Sequence, residues 1–374
     1  VDADKLKTFY DIRIVLFREE DLRYRLASRI VDKISLSGAK TVLYKDEEEL
    51  GRYIETFRNI YDSKEILILK EFPGRKFQKC PGSTGVICCN YYLLNTCFNC
   101  LYDCTYCFLN SYLNSYGITQ FINLDELHES IFEFTSNASR MFRIGTGEFT
   151  DSLMMDEITG IAESLISRIA QYRNIFLEFK TKSDRVDHLL PIKEKGSTVL
   201  AWTLNTPVNI SRYEKDTASL DARLNAAAKA GDAGFYLAFH FDPIIIYNGF
   251  LNDYDSVLNK LSEKIDPGKV VWVSLGCFRY SPGFKDIIKH KYRDSVLTCE
   301  EMFPGVDGKY RYLKKRRIEI YSFFYKKLQT LFPSAYIYFC MESSDVWYSV
   351  TGIDFASSDE LEAAMGHSLK SNFL

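Results

Sequence analysis

Residues 198–205, TVLAWTLN, 219–231, SLDARLNAAAKAG, 235–246, FYLAFHFDPIII, 253–265, DYDSVLNKLSEKI, and 270–278, VVWVSLGCF, decide how this chain folds. Short apolar runs alternate here with longer segments whose apolar side chains recur every three to four residues. The runs fit strands buried on both faces, and the longer segments fit amphipathic helices. Strand and helix in strict alternation make parallel βα units. Upstream, NYYLLNT (90–96), QFIN (120–123), MFRIGTG (141–147) and NIFLEFKT (174–181) extend the series, with helical patterns over 125–135 and 155–172. Six or seven consecutive units predict an α/β protein built on an open or partial barrel. Function in such barrels gathers at the C-terminal strand ends. Polar residues follow the apolar runs at those ends: Gly147 and Glu148, Lys180 to Ser183, Asn205, and His240 with Asp242.

Outside the series the pattern changes. Residues 1–79 alternate a helical pattern (about Glu19 to Lys33), TVLYK, a second helical pattern over 46–61 and EILILKEF, which predicts a small N-terminal α/β cap. The turn-rich segment FPGRKFQKCPGSTG ends it. The barrel is assigned to 80–284, and 285–374 to a C-terminal helical and strand extension that closes the barrel and offers a nucleic-acid contact. That extension contains KYRYLKKRRIEIYSFFYKKL (309–328), read as a long amphipathic helix, then AYIYFC and a terminal helix.

Of 374 residues, 46% are hydrophobic and 26% charged, as in ordinary globular proteins. A net charge of −3 argues against a generally basic nucleic-acid binder. No apolar run approaches the ~18–20 uncharged residues of a membrane helix, and the first residues lack a signal-peptide layout. A cytoplasmic protein without a membrane partner is the expectation.

Seven of the ten cysteines fall between Cys80 and Cys107. In a reducing compartment such clustering marks metal or redox chemistry more often than disulfides. Cys100-x3-Cys104-x2-Cys107, within the loop 97–108, can ligate three irons of a 4Fe-4S cubane and leave the fourth iron open. S-adenosylmethionine (SAM) can chelate an open iron through its amino and carboxylate groups and be cleaved reductively to a 5′-deoxyadenosyl radical. The competing reading is zinc, held by Cys97, Cys100, Cys104 and Cys107, although zinc favours C-x2-C pairs recurring at a distance.

CLYDCTYC after a first barrel strand resembles the radical SAM superfamily. KCPGST, CCNYYLLNTCFNCLYDCTYCFLNSYLN, FKTKSDRVDHLLPIKEKGSTVLAWTLNT, DARLNAAAKAGDAGFYLAFHFDPII and FPSAYIYFC together resemble the spore photoproduct lyase family, from about Cys80 to Cys340. The resemblance implies a partial (β/α)6 barrel of TIM type, an iron–sulfur lyase using a 4Fe-4S cluster on Cys100, Cys104 and Cys107 with SAM, and a reductant such as flavodoxin or ferredoxin. The implied substrate is a pyrimidine photoproduct or another nucleic-acid lesion, hence DNA repair. An enzyme acting on a peptide or small metabolite is the alternative within the superfamily. A non-catalytic zinc- or cluster-bearing nucleic-acid module is the alternative outside it.

By the same resemblance, Glu148 takes the methionyl ammonium, Lys180 or Lys182 meets the cofactor carboxylate or ribose, and Asn205 bonds the same groups. His240 joins this cofactor-binding set, and Tyr106 and Asp242 are the candidate catalytic residues. Each has an ordinary reading: a solvated loop glutamate, exposed strand-end lysines, a satisfied core histidine. Arg223 reads more readily as a helix ion pair. The family's hydrogen-donating cysteine is missing, with Gly145 or Thr146 in that region, and Phe108 stands where the family has a tyrosine after the third cluster cysteine. SAM consumption is therefore expected rather than regeneration. Cys80, Cys88, Cys89 and Cys97 are open to a second metal site, a replacement hydrogen donor or plain packing, of which packing is the commonest. Lys309 to Arg317 mixes cations and aromatics, a composition suited to nucleic acid, and a solvated helix face is the usual alternative.

Overall fold

The computed structural model describes residues 6–113, 116–125, 127–135 and 140–374. The strands of the βα series lie side by side in one sheet. Its strands are β1 (Tyr92–Leu94), β2 (Phe142–Gly145), β3 (Ile175–Thr181), β4 (Thr198–Thr203), β5 (Tyr236–Ile244), β6 (Val270–Cys277) and β7 (Tyr336–Phe339). They follow one another in chain order and pair in parallel throughout. The edge strand Phe77–Lys79 adds antiparallel to β1. Between β7 and that edge, a single bridge, Ile87 to Glu342, is formed among the described residues, so the barrel stays partial.

Each strand is flanked by helices that cover its outer face, which is why β4 and β6 are buried along their whole length. Among these helices are α1 (Ile161–Ile169), α2 (Leu220–Asp232), α3 (Phe250–Lys264) and α4 (Lys314–Leu331). Ser219 starts α2 by accepting from the Ala222 N–H at 3.3 Å. Trp202 and Trp272 are fully buried in the barrel core. Their indole N–H groups are satisfied by the Ser183 carbonyl at 2.9 Å and Glu178 at 3.2 Å.

One expectation changes. QFIN does not enter the barrel: strand Ile118–Phe121 pairs with Ile66–Lys70 in the N-terminal sheet, whose order is 40–43, 14–17, 66–70, 118–121, 97–98. The chain therefore leaves the barrel after β1, visits the neighbouring sheet through Cys97–Phe98, and returns at β2. AYIYFC, in the extension expected to close the barrel, supplies β7. The first helical pattern resolves into a 3-10 turn, Glu19–Arg23, and a helix, Arg25–Ser35. No helix among the described residues is long and apolar enough to cross a membrane.

Candidate active site

The excursion between sheets creates the cysteine loop. Asn99 turns the chain at φ 72°, a conformation asparagine tolerates better than most residues. Its side chain accepts from the Cys100 N–H at 2.9 Å and the Lys64 ammonium at 2.7 Å, and donates to the Gly117 carbonyl. Asp103–Cys104 then pairs antiparallel with Glu214–Lys215. A turn follows in which the Cys107 N–H bonds the Cys104 carbonyl at 3.1 Å. Buried Leu101 and Tyr102 anchor the loop beneath.

Cys100, Cys104 and Cys107 line one cavity of about 460 Å³ at the C-terminal ends of the barrel strands. Cys97 does not; its Sγ lies towards the carbonyls of Phe98 and Asn99, at 3.7 and 4.0 Å. Burial pushes the Cys100 thiol up to about 12 and raises that of Cys104 well above its ordinary value, against the charge of Lys182. Without a cation to neutralise them these sulfurs stay protonated. Among the described residues no three Cys, His, Asp or Glu side chains converge on a single ion-sized point; the three thiols are spread along the cavity wall. Three thiols of one loop on a shared cavity, with the fourth cysteine turned away, fit a cluster that keeps one iron free of protein.

Tyr106, Glu148, Lys180, Lys182, His240 and Asp242 line the same cavity. Gly147 lets the chain carrying Glu148 cross the end of β3: a Cβ there would stand 2.9 Å from Ser152 Oγ and 3.1 Å from Lys180 Cβ. Glu148 accepts a 2.5 Å hydrogen bond from Tyr91. Tyr106 donates to Glu214 at 2.6 Å, and its ring lies 5.6 Å from the Lys182 ammonium. Lys180 and Lys182 line the cavity without an ion pair among the described residues, the Lys182 ammonium set against the Tyr106 ring. Asp242 is gripped by both Arg279 terminal nitrogens, at 3.1 and 3.3 Å. Burial opposes its ionisation, and Arg279 outweighs that to hold the carboxyl below its usual range. Gly276 makes the grip fit, since a Cβ there would meet Asp242 Oδ1 at 2.5 Å.

His240 bonds Glu178 at 2.6 Å, and Arg143 lies 3.9 Å beyond. Burial opposes ionisation of Glu178, yet the His240 ring and the Arg143 guanidinium draw its carboxyl down to about 2. Burial keeps His240 below its ordinary value in spite of that carboxylate. At neutral pH the pair is thus an ionised glutamate beside a neutral imidazole.

Asn205 departs from expectation. It is fully buried and does not line the cavity. Its Oδ1 accepts from Thr206 N, Asn209 Nδ2 and Tyr254 OH, and its Nδ2 donates to Glu214 and the Pro243 carbonyl. All its valence is spent on holding the strand ends together. Arg223 is also structural, paired with Glu214 at 2.6 Å in the interior.

The segment 309–317 is not a free basic face. Arg311 pairs with Asp307, Lys314 with Asp345, Arg316 with Glu319 and buried Arg317 with Glu342. Tyr310 stacks on Tyr280 and Tyr312 is buried. Lys309 alone of this segment lines the cavity, bonding Ser83 at 2.8 Å. Glu178, Arg279, Asp151 and Cys340 line the cavity as well, beyond the residues expected there from sequence. Glu178, charged in the middle of an apolar strand, carried a readable signal; the others did not.

The model of the spore photoproduct lyase family matches residues 75–341, more than half of the chain. The chain belongs to the spore photoproduct lyase family. It is thus an enzyme of the radical SAM lyase type. Spore photoproduct lyases of Geobacillus sp. (strain Y412MC61) and Bacillus subtilis (strain 168) are each 27% identical to it over 230 residues, covering 59% of this chain and 67% of theirs. A solved spore photoproduct lyase complexed with dinucleoside spore photoproduct superposes with a TM-score of 0.75 at 25% identity, covering 88% of this chain and 98% of that one. These family members share the partial barrel and the region that carries the cavity.

Proposed function

We propose that this chain uses a 4Fe-4S cluster on Cys100, Cys104 and Cys107 with SAM to act on a dinucleoside-type pyrimidine photoproduct in DNA. The observation that carries the reading is the one cavity shared by three thiols of one loop, Lys180 and Lys182, and the carboxylates of Glu148 and Asp242 among others. Such a cluster, when bound, supplies the electron that cleaves SAM to a 5′-deoxyadenosyl radical. The residues of the chain do the rest. Lys180 and Lys182 offer positive charge to the SAM carboxylate, and Glu148 offers an acceptor to its ammonium. Tyr106, fixed by Glu214, and Asp242, fixed by Arg279, flank the substrate. His240, bonded to Glu178, supports that wall from below. Solved relatives that hold dinucleoside spore photoproduct support the substrate class. A one-electron reductant of the flavodoxin or ferredoxin kind would serve the cluster.

Anaerobic loading with iron and sulfide, then dithionite and SAM, tests the reading. The expected product is 5′-deoxyadenosine, formed faster when dinucleoside spore photoproduct is present as that substrate disappears. A filled cluster that forms no 5′-deoxyadenosine would sink the enzyme chemistry. Turnover with SAM but indifference to the photoproduct would move the substrate to another class.

A further inference from the structure

Lys64 brings an ammonium group under the cysteine loop from the N-terminal sheet. It lies in the 3-10 turn Ser63–Glu65, directly before strand Ile66–Lys70, and is 9% exposed. Its Nζ donates to Asn99 Oδ1 at 2.7 Å, and the same oxygen accepts the Cys100 N–H at 2.9 Å. One acceptor atom thus joins the ammonium to the first residue of the three-thiol loop. The left-handed turn at Asn99 and its bond to the Gly117 carbonyl fix that junction. Lys64 does not line the cavity, so its ammonium is out of reach of a ligand there.

The carboxylates around it are engaged by other groups. Asp62 accepts the backbone N–H of Lys64 and caps the turn. Glu65 accepts the Asp62 N–H and faces Arg13 at 4.0 Å. Asp103, on the loop, is held by Lys291 and Tyr292 at 2.8 and 2.6 Å. Among the described residues the Lys64 ammonium meets an amide oxygen and no carboxylate within ion-pair distance. A buried cation so placed is costly unless a counter-charge completes its site. A cubane held by three thiolates carries net negative charge and gains one more unit on reduction, and net charge and surroundings set its potential. A unit charge roughly 10 Å away in a protein interior shifts a one-electron equilibrium about tenfold.

We propose that Lys64 is the counter-charge of the loop cluster and raises its potential, which brings its one-electron reduction within reach of the reductant. The inference rests on the cluster reading of Cys100, Cys104 and Cys107. It adds a residue that lies outside the family-matched segment 75–341 and that is no ligand of the cluster.

Lys64→Met removes the charge at similar length, and Lys64→Arg keeps it. Anaerobically loaded chains are poised with redox mediators, and the electron paramagnetic resonance signal of the reduced cluster reads the midpoint. Lys64→Met is expected to lower the ratio of reduced to oxidised cluster at a fixed poise about tenfold, or about 59 mV for one electron. Lys64→Arg should stay within about threefold of the parent. Cluster-free chains give a second reading: there the ammonium lacks its counter-charge, so Lys64→Met should melt no lower than the parent. An unchanged midpoint in loaded Lys64→Met overturns the proposal. So does a cluster-free Lys64→Met that melts lower or does not fold, because the ammonium then serves the fold itself. Should Lys64→Met fold yet load poorly, loading restored by Lys64→Arg upholds the counter-charge, and loading lost in both overturns it. A parent chain that binds no iron fails the cluster reading; a loaded, 5′-deoxyadenosine-forming parent beside an unmoved Lys64→Met midpoint fails this inference alone.

Discussion

The spacing of Cys100, Cys104 and Cys107 puts three thiols on one short loop, and the fold sets all three on one cavity. Cys104→Ala is expected to remove the loop cluster and lower 5′-deoxyadenosine formation at least about 100-fold, as read by iron content and chromatography. Glu178 carries a stability prediction. Its carboxyl sits near 2, against an ordinary 4.5, so its ionised form stabilises the fold. That contribution is fully present above about pH 4.5 and is lost as pH falls towards 2. Glu178→Gln is therefore expected to destabilise the fold at pH 7, through the bonds the carboxylate makes to His240 and Trp272 and its attraction to Arg143. The difference in urea midpoint from the parent chain should shrink steadily below pH 4.5. A constant difference from pH 7 to pH 3 would show that charge is not the cause. Asn205 lies inside the wall and not on it, a difference that a polar residue at a strand end does not show in sequence.

At the scale of elements, alternation of apolar runs and helical periods revealed the βα series, since each strand is covered on both faces. Pairing partners are not encoded in that period. Ile118–Phe121 has the apolar character of a barrel strand, yet its neighbour is Ile66–Lys70. The joints between elements depend on buried polar side chains. Asn205 ties β4 to Thr206, Asn209, Tyr254 and the end of β5. Asn205→Ala is expected to destabilise by about 2–4 kcal/mol, because several buried partners lose their bonds. Thermal melting should show this while the KM for SAM changes less than about twofold. A large rise in KM with an unchanged melting temperature would return Asn205 to the cofactor. Removing the cap of α2 with Ser219→Ala is a milder change, expected to cost about 1 kcal/mol.

For the whole molecule, charge matters through pairing rather than composition. Lys314 and Arg316 spend their charge on Asp345 and Glu319, whereas Lys309 faces the cavity. Neutralising Lys314 or Arg316 should leave affinity for lesion-bearing DNA within about twofold, and Lys309→Ala should weaken it and flatten its salt dependence by about one unit. Titrations at several salt concentrations would decide; equal effects at all three positions would restore the surface reading. Phe108, without an O–H, reaches the rim of the cavity at 40% exposure. At least one 5′-deoxyadenosine per product is accordingly expected, and far fewer would show that SAM is regenerated.

By itself the amino-acid order determined the strand and helix series, the partial barrel and the three-cysteine loop, since periodicity and thiol spacing are local properties. Only the folded chain decided that Ile118–Phe121 belongs elsewhere, that Asn205 is walled in and that four cations of the basic segment are paired. It also brought Cys80, Cys88, Cys89 and Cys340, up to 260 positions apart, to one cavity. Those outcomes depend on which distant groups meet, and a desolvated charge or amide takes whichever partner the barrel brings within reach.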